Sequence, residues 1–132
     1  MTLRKMRFLV LGLGFFAAPS LGWADASSVD RNYTGPVNDP AQVCMIKRTV
    51  QPHTSYVESY QGKTYHFCCT MCQSRFRTDP EKEKIAIDPV SHKPVDKADA
   101  LIYSYQGRAY FFGSERNRNK FAKRPTRYPE KQ

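Results

Sequence analysis

Aromatic and β-branched residues run through 55–67 and 101–112 in near-alternation with polar ones, and Gln-Gly interrupts each stretch once. A period of two is that of a strand, and a two-residue break containing glycine is a hairpin turn in which the glycine accepts a positive φ. The pattern therefore predicts strands over 55–60 and 63–67, and again over 101–105 and 108–112. Thr70 and Ser114 follow the returning strands and are placed to cap helices. Those helices are expected to run to about Arg77 and Lys123, before Pro80 and Pro125 stop them. Phe76 and Phe121 then fall on the helix face that covers each hairpin.

The two stretches are copies of one another. With Gly62 set on Gly107, Tyr60 matches Tyr105, Lys63 matches Arg108, and Tyr65 matches Tyr110. The match continues without a gap through Phe67 and Phe112, Phe76 and Phe121, and Pro80 and Pro125. The chain reads as a small α+β protein of two tandem units, over 41–80 and 88–128, each a β-hairpin followed by a short helix. The segment 79–88 between them is charged and expected to be exposed. Residues 27–40 read as a flexible lead-in, and the tail from Arg124 onward reads as loose.

The N-terminus has a different character. Arg4, Lys5 and Arg7 precede an uncharged apolar run, Pro19 breaks that run, and Ala24-Asp25-Ala26 offers a small-x-small cleavage pattern. The run is too short to span a bilayer, which takes roughly 20 residues. Residues 1–26 are thus expected to be a signal peptide, and the protein periplasmic or otherwise exported, not integral to a membrane. Their removal takes three positive charges and one negative from the formal +9, leaving +7. Units of this size seldom hold by core burial alone, so a metal, disulfides or mutual packing is expected. The basic residues crowd toward the C-terminus, from Arg116 to Lys131. In an exported chain they suit an acidic protein acceptor, an anionic surface or plain solvation better than nucleic acid.

The candidate chemistry lies in Phe67-Cys68-Cys69-Thr70-Met71-Cys72, with Cys44 upstream. Two thiols four apart at a strand-to-helix junction, joined by a remote third, can converge on one soft ion. The helix N-terminus favours the thiolate form that binds metal. Three thiolates suit Cu(I), whereas Zn(II) prefers four ligands in a tetrahedron. Strand alternation puts His66 on the side of Cys68, which makes it a candidate fourth ligand; Cys69 and Met45 compete with it. His53 and His92 stand beside prolines in loops and read as solvent-exposed.

These residues resemble the YHS/TRASH family of small metal-associated domains. Val43-Cys44-Met45 and the run YQGKTYHFCCTMCQSRF carry the resemblance in copy one; Asp88-Pro89-Val90-Ser91 and YQGRAYFFGSERNRNKF carry it in copy two. The resemblance implies treble-clef-like units and a heavy-metal role, with copper handling common in the family. It carries the thiol positions onto Cys44, Cys68 and Cys72, and in copy two onto Ser91, Gly113 and Asn117. Copy two thereby keeps the fold signature without ligands and reads as a structural partner.

Two other readings use the same sulfurs. Four cysteines in an exported chain can staple a small core, though the neighbours Cys68 and Cys69 bridge each other poorly. Cys69 and Cys72 also form a C-x-x-C, the spacing of thiol–disulfide oxidoreductases. No serine elbow, paired-carboxylate arrangement or glycine-rich phosphate loop is present, so the chain does not read as an enzyme. The expectation is an exported heavy-metal-binding protein, with Cu(I) favoured and Zn(II) second.

Overall fold

Two hairpins, each followed by a nine-residue helix, recur in the computed structural model, which describes residues 32–129. The expected signal peptide at 1–26 lies outside the described residues. In chain order the strands are β1 (Gly35–Val37), β2 (Val43–Cys44), β3 (Thr49–Val50), β4 (Tyr56–Tyr60), β5 (Lys63–Phe67), β6 (Ile85–Ile87), β7 (Pro94–Asp96), β8 (Leu101–Tyr105) and β9 (Arg108–Phe112). The helices are α1 (Thr70–Thr78), α2 (Pro80–Glu83) and α3 (Glu115–Lys123). Among the described residues no helix is long and apolar enough to cross a membrane.

The hairpins close where the alternation breaks. Tyr60 pairs with Lys63 and Tyr105 with Arg108, leaving two-residue turns. Both turn residues are left-handed, with φ of 51° and 75° at Gln61 and Gly62, and 51° and 77° at Gln106 and Gly107. That geometry matches the twist of the flanking strands. The helices then cover the aromatic face. The Phe76 ring lies 4.6 Å from Tyr65 and 5.3 Å from Phe67, and Phe121 lies 4.6 Å from Tyr110 and 5.2 Å from Phe112. The two copies build the same aromatic wedge.

Outside the hairpins the structure corrects the sequence reading. The lead-in is not loose throughout: β1 lies within it and pairs antiparallel with β8. Pro36 is tolerated there because β1 is an edge strand, where a missing N–H costs nothing. The charged linker is not simply exposed either. Pro80 opens α2 instead of merely ending α1, and Asp79 caps it by accepting from the Lys82 N–H at 3.2 Å. The segment continues into β6, which buries Ala86 and delivers a fully buried Asp88. The tail turns through a 3-10 segment at Pro125–Arg127 that lays the Tyr128 ring 6.1 Å from Phe121.

The copies interlock. A five-stranded sheet runs in the order β1-β8-β9-β3-β2, so the opening strands of copy one complete the sheet of copy two. Val50 N–H donates to Gly107 O at 3.0 Å, and Ala109 N–H to Arg48 O at 2.8 Å. Reciprocally, Asp96 of β7 accepts from Lys63 at 2.8 Å and from the Tyr65 hydroxyl at 3.0 Å, both on β5. Two cores result. One joins Val37, Val43 and Val50 to Ile102, Ala109 and Phe111 across the copies. The other packs Cys44, Met45, Tyr65, Phe67, Cys72 and Phe76 within copy one.

Candidate metal centre

Three elements deliver the thiols of copy one. Cys44 ends β2, where Arg48, at φ 55°, donates its N–H back to Cys44 O at 2.7 Å and closes a tight loop. Met45 N–H donates to His66 O at 2.9 Å, which pins this loop against β5. Cys68 follows the last residue of β5, and Cys72 lies in the first turn of α1. Their sulfurs meet: the Sγ atoms of Cys44, Cys68 and Cys72 all lie within 4.8 Å of one another. Cys44 is fully buried and Cys72 nearly so, while Cys68 is half-buried. The cluster is able to hold a metal ion.

Cys69 stands at its rim. Its Sγ is 3.5 Å from that of Cys72 and 3.8 Å from that of Cys68, and the Cys68–Cys72 distance is also 3.8 Å. All four cysteines are free thiols. Thr70, expected as the cap of α1, is instead its first residue; Cys69 occupies the cap position and makes no capping hydrogen bond. In α3 the capping expectation holds, since Ser114 accepts from the Asn117 N–H at 3.3 Å.

His66 is not in the group of ligand atoms that lie within 4.8 Å of one another, which is Cys44, Cys68 and Cys72. The strand ends at Phe67 and Cys68 sits in the bend beyond it, where strand alternation no longer applies. Strand β5 instead touches the 3-10 turn at Pro40–Gln42. The charged neighbours of His66 are Asp39 and His53, and burial lowers its pKa. Met45 is buried in the core of copy one, and both His53 and His92 are exposed.

The thiols differ electrostatically. Burial pushes the Cys44 thiol up, but the backbone N–H groups of Lys47, Cys68 and Ile46 outweigh it, and the net shift is down. Cys69 is lowered to about 7, chiefly by the backbone and thiol of Cys72. Burial raises Cys68 and Cys72; Cys44 adds to the rise at both, and Cys69 adds to it at Cys72. Lys47 is an exposed cation that sequence reasoning missed; Cys68, Cys69 and Cys72 together raise its pKa. Its only signal in the sequence is its place three residues after Cys44.

Copy two shows what stands in place of the sulfurs. The register that pairs Cys44 with Ser91 does not hold. Asp88 makes the Cys44 contacts: His92, at φ 58°, donates to Asp88 O at 2.8 Å, as Arg48 does to Cys44 O. Asp88, Gly113 and Asn117 are thus the counterparts of Cys44, Cys68 and Cys72. The Asp88 carboxylate accepts from Gly113 N–H at 3.0 Å and from the Asn117 amide at 2.8 Å. It also accepts from Val90 N–H at 2.8 Å and Ser91 N–H at 3.1 Å. A fully buried carboxylate ties together the three segments that the sulfurs join in copy one.

Comparison with known proteins agrees with this duplication. The family model described as YHS domain matches residues 41–83 and again 86–131. No curated protein and no solved structure matches the chain. With both copies of its architecture matched, one bearing the sulfur cluster and one bearing the carboxylate, the chain belongs to the YHS domain family.

Proposed function

We propose that the chain is an exported Cu(I)-binding protein serving metal trafficking, tolerance or delivery, with Cys44, Cys68 and Cys72 as the ligands. The meeting of these three sulfurs within 4.8 Å carries the reading. Three thiolates satisfy a soft monovalent ion that is content with low coordination. A tetrahedral zinc site would need a fourth ligand, and the group of ligand atoms within 4.8 Å of one another supplies three, Cys69 lying outside it. A tris-thiolate Cu(I) unit carries a net charge of −2. Lys47, whose pKa the cluster's sulfurs raise, supplies positive charge at the rim. The basic C-terminal segment suits docking on an acidic acceptor, and the N-terminal sequence supports export. The chain acts as a carrier and not as an enzyme.

Competition against a chromophoric Cu(I) chelator tests the ligand set. Wild type is expected to bind one equivalent, Cys72→Ala none tightly, and Ser91→Ala as much as wild type. Wild-type stoichiometry in Cys72→Ala would refute the assignment. One observation favours a second reading, thiol–disulfide exchange: the Cys69 and Cys72 sulfurs are only 3.5 Å apart. Metal-independent reduction of insulin disulfides would favour that reading over the carrier.

A further inference from the structure

We propose that the four sulfurs form two three-sulfur faces on a shared edge, and that Cys69 is the ligand through which the ion arrives and leaves. This rests on the Cu(I) reading above and deepens it. The shared edge is Cys68–Cys72, whose sulfurs are 3.8 Å apart. Cys44 closes the inner face, and all three of its sulfurs lie within 4.8 Å of each other. Cys69 closes the outer face, with edges of 3.8 Å to Cys68 and 3.5 Å to Cys72. Metal–thiolate bonds of about 2.3 Å place ligand sulfurs roughly 3.8–4 Å apart, so the outer face is already at ligand spacing.

The copies supply an internal control for Cys69. Its counterpart Ser114 caps α3, whereas Cys69 leaves α1 without a side-chain cap and turns its sulfur to the cluster. Forgoing the cap costs about 1 kcal/mol, a sacrifice that helix stability alone does not explain. The faces also differ in access. Cys44 is sealed in the core, while Cys69 is half-buried, two residues before the strongly exposed Met71 and within the electrostatic reach of the exposed Lys47. Met71 and Lys47 therefore mark the side from which an acceptor approaches.

Passage between faces is a ligand exchange at constant oxidation state. The bond from Cu(I) to Cys44 breaks as one to Cys69 forms, and the thiol proton that Cys69 gives up is balanced by one that Cys44 takes up. Cys68 and Cys72 hold the ion throughout. An acceptor thiolate then replaces Cys69 in the same manner.

The test compares Cys69→Ser, which restores the residue of copy two, with wild type and Cys72→Ser in the full chain loaded with one equivalent of Cu(I). Equilibrium competition gives the affinity, and stopped-flow transfer to the chelator gives the rate. Cys69→Ser is expected to keep one equivalent with an affinity within about threefold, and to transfer Cu(I) about tenfold or more slowly, since ligand access acts on exchange rates. An unchanged metal-free thermal midpoint, or a higher one, shows that the variant is folded. Transfer at the wild-type rate would make Cys69 a bystander, and loss of binding equal to that of Cys72→Ser would make it a permanent ligand; either overturns the proposal. Failure of wild type to bind Cu(I) would overturn the underlying reading as well.

Discussion

Cys44 and Asp88 occupy one position in the repeat and solve one problem with different chemistry. Each must hold a loop against the junction of a strand and a helix. Cys44 does so with a sulfur facing two others; Asp88 does so with a carboxylate facing four donors. Burial raises the pKa of Asp88, but hydrogen bonds from Asn117, Gly113, Ser91 and Val90 outweigh it, and the net shift is down. A folded pKa below the unfolded value means that Asp88 stabilises the fold above the ordinary carboxylate range. That contribution is lost as pH falls through the unfolded value of about 3.9 and then the lower folded one. Asp88→Asn is expected to cost about 2–4 kcal/mol at neutral pH, because buried donors lose a charged acceptor. It should also flatten the acid limb of stability, as urea titrations across pH 3–7 would reveal. The sulfur positions were legible in the sequence because C-x-x-x-C at a strand end has few uses. Asp88 was not, because the opening loops keep a different register from the hairpins. Nor was the absence of His66 from the sulfur group, because Cys68 lies past the end of β5, where strand alternation no longer governs it.

Among the elements, hairpins and main helices were readable because their signals are local: a Gln-Gly turn, aromatic alternation and a following proline. Strand β1 was hidden since Gly35 and Pro36 are poor strand formers, and only pairing with β8 makes Gly35–Val37 extended. Strand β6 was hidden because three residues carry no period, and its partner β7 lies beyond a turn. The helix caps give a direct comparison between the copies. Ser114→Ala is expected to cost about 1 kcal/mol, whereas Cys69→Ala should cost the metal-free protein little on this account. Paired urea midpoints measure both. An equal loss in the two variants would mean that Cys69 supports its helix after all.

At the scale of the molecule, the copies are joined through exchanged openings, so neither is a free-standing unit. Strand β3 of copy one completes the sheet of copy two, and Asp96 of copy two fastens to Lys63 and Tyr65 of copy one. Their internal ties differ, however. Copy two closes its junction with hydrogen bonds supplied by its own side chains, while copy one leaves that task to three sulfurs in its core. An ion bound there stabilises the folded state by mass action and should tighten copy one selectively. Hydrogen exchange by mass spectrometry on the full chain, with and without one equivalent of Cu(I), measures this most directly. Added protection is expected over 43–47 and 67–76, with none over 86–93 and 112–121. No added protection, or equal protection in both copies, would contradict a single ion held by Cys44, Cys68 and Cys72.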